Sequence, residues 1–174
     1  KGLPIDYDFL DLKKLDAGKF FYKKNTKISI PSLEEALNLC YQSNINLNIE
    51  IKPNLGFEEK NVEAIAKLIK SFDFKNKFYF SSFDWDSIIL MKKLMPEAYY
   101  GLLIDDFNIK LSLENILNFC KDMNIFCCGF DKKVINVEII NKLINENIFL
   151  NIFSENNLSL SEANELWSIG VRSI

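Results

Sequence analysis

Apolar positions along the chain change period repeatedly, and each change marks an element. Leu47, Ile49 and Ile51 alternate with Asn46, Asn48 and Glu50, which predicts a half-buried strand over 46–51. Further strands are predicted over 78–80, 99–104, 125–130 and 148–153, and a sixth begins at Val171. Between them the spacing turns helical. Val62, Ile65, Ala66 and Ile69 share one face, and Asp84 is placed to cap a helix over 85–95 that Pro96 ends. Ser112 caps a helix running to Met123, another is predicted over 134–145, and one over 161–169 closes on Gly170, a C-terminal glycine signal. Upstream, Asp8 can cap a short helix over 9–15. Ser32 and Glu35 have the spacing of a capping box ahead of a helix whose apolar face is Leu33, Ala36, Leu37 and Cys40.

The six strands lie 22 to 31 residues apart, the length of one strand plus one helix, with no hairpin signal between them. Such strands run parallel and are joined by right-handed crossovers. Two α/β architectures fit, an open doubly wound sheet and a (β/α)₈ TIM barrel. A barrel needs eight units and roughly 200–250 residues, whereas 174 residues carry about six. The barrel expectation is therefore an incomplete one, short of two such units.

Composition narrows the chemistry. The chain is 48% hydrophobic and 26% charged, enough for a packed core, and it contains no histidine. Ser-His and Cys-His nucleophiles, His-ligated zinc and imidazole acid–base pairs are excluded within these residues. The net charge is −3 and Arg172 is the one arginine, which argues against a nucleic-acid partner. Cys40, Cys120, Cys127 and Cys128 form no C-x-x-C motif. Adjacent Cys127 and Cys128 point to opposite faces of a strand, and reduced thiols suit a cytoplasmic setting. Apolar runs are too short for a membrane span. The chain opens on Lys1 without a signal-peptide pattern, as a processed or partial chain would.

In parallel α/β folds the site lies at the C-terminal ends of the strands. Glu50 and Lys52, two apart on one strand, face the same side, where a carboxylate and an ammonium suit a hard cation together with an anionic group. An exposed edge-strand salt bridge is the alternative. Ser81-Ser82 suits a strand-to-helix turn, Asp105-Asp106 a solvated loop or metal position, and Asp131-Lys132-Lys133 a solvated turn. Phe153 is a core or substrate-stacking residue.

Five stretches, in order, resemble the glycerophosphodiester phosphodiesterase family of TIM barrels. Leu15-Asp16-Ala17-Gly18 is similar to that family's Leu-Asp-Ala-Gly segment, and Ile30-Pro31-Ser32-Leu33-Glu34-Glu35 to its Ile-Pro-Thr-Leu-Glu-Glu helix start. Asn48-Ile49-Glu50-Ile51-Lys52 resembles its most specific strand, and Ser81-Ser82-Phe83 a strand end. Asn151-Ile152-Phe153-Ser154-Glu155-Asn156, followed by Gly170-Val171, resembles its closing motifs. The resemblance implies one phosphodiesterase domain over 1–174, truncated at its N-terminus, that hydrolyses a glycerophosphodiester to glycerol 3-phosphate and an alcohol. It implies Glu50 as a ligand of Ca²⁺ or Mg²⁺, Lys52 as a catalytic phosphate contact, and Ser82, Phe153 and Asn156 as substrate-binding residues. The family's His-Arg-Gly, Glu-x-Asp and His-Asp motifs are absent, so this chain alone is expected to be inactive. Two alternatives remain: a non-catalytic binding module derived from the barrel, and an unrelated open α/β protein with chance matches.

Overall fold

The structure is a computed structural model that describes residues 2–72, 78–106 and 112–174. It divides into two compact units, Lys1–Asn46 and Leu47–Ile174.

The first unit is built from short elements pinned by side chains. A 3₁₀ turn over Pro4–Asp6 is closed by the Asp6 carboxylate, which accepts the Leu3 amide at 2.9 Å. Helix α1 (Phe9–Leu12) is shorter than the span 9–15 expected from sequence, because the chain passes into hydrogen-bonded turns at Lys14 and Leu15. Helix α2 (Lys19–Tyr22) was not expected at all; it is a single turn between Gly18 and the left-handed Lys23. Helix α3 (Leu33–Gln42) has the expected capping box, Glu35 N donating to Ser32 Oγ at 3.1 Å and Ser32 N to the Glu35 carboxylate at 2.7 Å.

Asp16 holds the loop around α2 closed. Its carboxylate accepts the amides of Gly18 (3.1 Å), Thr26 (2.6 Å) and Lys27 (3.0 Å) and the Thr26 hydroxyl. Gly18 is required there, since a Cβ would stand 2.5 Å from Thr26 Oγ1. The Thr26 hydroxyl, aided by the three amides, lowers the Asp16 pKa from 3.8 to about 2. A carboxyl depressed on folding adds stability above its unfolded pKa, and this is lost as pH falls through the folded value. Asp16→Asn is therefore expected to lower Tm at neutral pH, and the gap to wild type should close between about pH 4 and pH 2. Thermal melts across that range check it, and a gap independent of pH would show that the charge of Asp16 is not what matters.

The second unit alternates strands and helices. In order it runs β1 (Leu47–Glu50), α4 (Glu58–Lys70), β2 (Phe78–Ser82), α5 (Trp85–Leu94), β3 (Tyr99–Ile104), α6 (Leu113–Asp122), β4 (Cys127–Asp131), α7 (Val137–Asn145), β5 (Phe149–Phe153) and α8 (Leu160–Ser168). All neighbouring strands pair parallel, in the spatial order β1-β2-β3-β4-β5. That order decides between the two architectures. A doubly wound sheet reverses direction at a switch point, whereas a barrel adds each strand beside the last. The sheet is that of an incomplete TIM barrel. The sixth expected strand is reduced to one bridge, Asn151 with Ser173, flanked by the bond from Arg172 N to Leu150 O at 2.8 Å.

Register assigns the two faces of the sheet. Phe80 pairs with Ile49 and Tyr100, and Leu102 with Cys128, so these residues share one face, and all are buried. That face meets the helices. Tyr100 donates its hydroxyl to Met95 O beyond α5 at 2.6 Å, and Cys128 Sγ lies 3.4 Å from Cys120 Sγ on α6. Burial pushes the Tyr100 hydroxyl pKa upward. The core is the layer between this face and buried residues such as Val62, Ile88, Met91, Ile116 and Leu143. Asn48, Glu50, Ser81, Gly101, Cys127 and Asp131 lie on the other face.

Candidate functional site

Lys52 stands two residues beyond the end of β1, and its ammonium lies 3.2 Å from Glu50 Oε1. The Lys52 side chain is 72% exposed and that of Glu50 32%, so the pair is a surface-accessible one that a ligand can reach. The strand end that carries it is stitched to β2. Ile51 N donates to Ser81 O at 2.7 Å, and the buried Ser82 hydroxyl donates to Ile51 O at 2.7 Å while accepting the Asp84 amide at 3.0 Å. Asp84 then caps α5 through Ser87 N at 3.2 Å.

The two serines therefore have different places. Ser81 pairs with Glu50 and shares its face, donating to Asn48 Oδ1 at 2.8 Å. Ser82, expected from resemblance to touch substrate, stands on the helix-side face, fully buried, with its hydroxyl committed to the backbone on both sides. Phe153 ends β5 on the same face as Asp131, and its ring meets Phe83 edge to face at 5.6 Å. Phe83 was not singled out from sequence; following the Ser-Ser turn by one residue is the signal that marks it. Asn156 is exposed on the loop after β5, its amide 3.4 Å from Ser154 Oγ.

Beyond β4 and β5, lysines and carboxylates hold one another. Asp131 accepts the Lys133 amide at 2.8 Å, and the Lys133 ammonium reaches Glu155 at 2.9 Å. Glu155, with Asp131 and Asp106 behind it, raises the Lys133 pKa. Lys132 pairs with Glu162 and, with the Ser159 cap, holds that carboxyl down at about 2. Further down the same face, Cys127 bonds both Tyr79 and Asn151, and burial pushes its thiol up to about 12, so it stands neutral. Gly101 makes the space, since a Cβ there would lie 2.7 Å from Cys127 Sγ.

Among the described residues, no group of three or more Cys, Asp or Glu side chains is placed to hold a metal ion. Glu50 offers one carboxylate, and Ca²⁺ and Mg²⁺ take six or more oxygens. The described residues do not by themselves fit such a cation.

The family model of the glycerophosphoryl diester phosphodiesterase family matches residues 3–160. The chain belongs to that family. A glycerophosphodiester phosphodiesterase of Bacillus altitudinis is 37% identical over 111 residues, 61% of this chain and 44% of the relative. One of Caldanaerobacter subterraneus subsp. tengcongensis is 36% identical over 103 residues, 59% of this chain and 42% of the relative. The chain thus spans less than half the length of these curated relatives. The solved structure of an Oleispira antarctica phosphodiesterase, in complex with its product sn-glycerol-3-phosphate, superposes with a TM-score of 0.87 at 22% identity, covering 99% of this chain and 68% of that one. That likeness bears out the barrel fold. Glycerophosphoryl diester phosphodiesterases generally depend on a divalent metal. No helix among the described residues is long and apolar enough to cross a membrane.

Proposed function

We infer that this chain carries part of the phosphate-binding mouth of a glycerophosphodiester hydrolase. The observation that supports it is the Glu50–Lys52 pair, at the end of β1, on a strand whose sequence matches the family's most specific motif. The reaction is attack of water on phosphorus with loss of an alcohol, leaving glycerol 3-phosphate. Lys52 presents its ammonium to the phosphoryl oxygens, where negative charge grows as water adds. Glu50 keeps that ammonium in place, and its carboxylate would supply one oxygen to a Ca²⁺ or Mg²⁺ ion. Phe83 and Phe153 form an apolar wall for the non-phosphate part of the substrate, with Asn156 as a polar group on the rim. Ser82 acts through the backbone of Ile51, as a positioning residue. The whole span 1–174 belongs to one catalytic domain, and four free thiols, three of them buried, suit a reducing compartment such as the cytoplasm.

Titration of the chain with sn-glycerol 3-phosphate, followed by amide chemical shifts, tests the reading. Lys52→Met is expected to weaken binding about tenfold, or ~1.4 kcal/mol. The same affinity in Lys52→Met and Glu50→Gln would remove both from the site. The absence of histidine favours a second reading, a binding module without catalysis. Binding of the product without phosphodiester hydrolysis, with Ca²⁺ or Mg²⁺ supplied, would support it.

A further inference from the structure

The first unit has a surface that the hydrolase reading does not use. Helix α2 leaves Phe20 85%, Phe21 78% and Tyr22 54% exposed. Three consecutive aromatic side chains held in water are unfavourable unless something covers them. They are not a floppy tip. Asp16 bonds the residues on both sides of the loop, at Gly18, Thr26 and Lys27, and Ala17 N donates to Ile28 O at 2.8 Å. Phe21 and Tyr22 pack edge to face at 5.0 Å, and the Lys23 ammonium sits 4.3 Å from the centre of the Phe20 ring.

Charge is concentrated around the same aromatics. Residues 13–27 hold six lysines and one acidic residue, Asp16, in a chain whose net charge is −3. Lys13 pairs with Glu35 and Lys14 with Asp11. Among the described residues, no carboxylate lies within ion-pair distance of Lys19, Lys23, Lys24 or Lys27. Lys13, Lys14, Lys19 and Lys27 line an open groove of about 670 Å³, and Lys19, Phe20 and Lys23 line another of about 520 Å³.

Aromatic rings partition into the headgroup region of a bilayer, where an apolar body and a polar edge are both satisfied. Clustered lysines are drawn to an anionic leaflet, and the two effects together give reversible attachment where either alone is weak. An acidic protein partner would satisfy the lysines but has no intrinsic claim on three bare rings, and a second copy of an acidic chain brings the rings without surplus negative charge at this patch. We propose that the loop carrying Phe20, Phe21 and Tyr22, with Lys19, Lys23, Lys24 and Lys27 around it, docks the protein on the surface of an anionic lipid bilayer. The rings enter the headgroup layer and the ammonium groups meet lipid phosphates and carboxylates from above.

Co-sedimentation of the full chain with vesicles tests this. Vesicles of phosphatidylcholine with 30% phosphatidylserine are expected to bind it at least tenfold more tightly than phosphatidylcholine alone, and raising NaCl from 0.1 M to 0.5 M should weaken that binding severalfold. Phe20→Ser/Phe21→Ser and, separately, Lys23→Glu/Lys24→Glu should each cost about tenfold, while Lys142→Glu, on α7, should leave binding unchanged. Circular dichroism confirms that the variants fold, and the wild-type comparison of the two vesicles stands even if one does not. Equal binding to both vesicles, or no binding to either, would overturn the proposal. So would a dimer in solution that Phe20→Ser/Phe21→Ser dissociates, because the patch would then belong to a second copy.

Discussion

Phe80→Ala is expected to lower stability by about 3–5 kcal/mol, the usual cost of removing a buried aromatic ring. The side chain is completely buried, T-shaped against Phe78 at 5.3 Å and stacked on Tyr100 at 5.9 Å. It sits on β2 between two paired strands, so the cavity has ordered backbone on both flanks and little freedom to collapse. For a chain of this size each kcal/mol moves Tm by roughly 2–4 °C, which predicts a fall of about 10 °C in a thermal melt. The neighbouring Tyr79→Ala is the control. Tyr79 is only partly buried on the opposite face, in a pair with Cys127, and its loss should cost about 1 kcal/mol. A strand slipped by one residue would invert the two results. Equal shifts in both variants would show that the face assignment of β2 is not as described.

The alternation that separates Phe80 from Tyr79 is also what made the second unit legible from sequence. A parallel sheet covered by helices turns its strands into short apolar runs, and the helices between them announce themselves by period and cap. Where prediction and structure part, the cause is local. Helix α7 begins at Val137 and not at 134 because the Asn136 side chain caps it, accepting Ile139 N at 3.0 Å, while Val134 closes a turn on Asp131. Helix α8 begins at Leu160, one residue before the expected 161, because Ser159 and Glu162 form a capping box. Helix α2 had no signal of that kind: Lys-Phe-Phe-Tyr lacks a cap and an amphipathic period, and it is held by Asp16 across the loop. Which residues stand at the strand ends was readable, but not which serine faces which way. Period two settles that only once register is known. Ser81 pairs with Glu50, and this places Ser82 among the helices.

That placement gives Ser82 an expected effect larger than a substrate contact would have. Ser82→Val, which has the size of Ser82→Thr without its hydroxyl, strips hydrogen bonds from two groups at once, the Ile51 carbonyl and the Asp84 amide. Each buried unsatisfied group costs about 1–3 kcal/mol, so a loss of about 2–4 kcal/mol is expected. Ile51 lies between Glu50 and Lys52, and its carbonyl is what Ser82 holds. Releasing it frees the strand end that keeps the ammonium beside the carboxylate at 3.2 Å. Affinity for sn-glycerol 3-phosphate should therefore fall about tenfold in Ser82→Val at temperatures well below its Tm, without loss of any ligand-facing group. Ser82→Thr retains the hydroxyl and should restore affinity even if its extra methyl group lowers Tm. A purely structural role would move Tm and leave the titration unchanged, and a direct contact would lower affinity in Ser82→Ala with little change in Tm. The combination of both losses in Val and the recovery of affinity in Thr is the result that a brace on the Ile51 carbonyl requires.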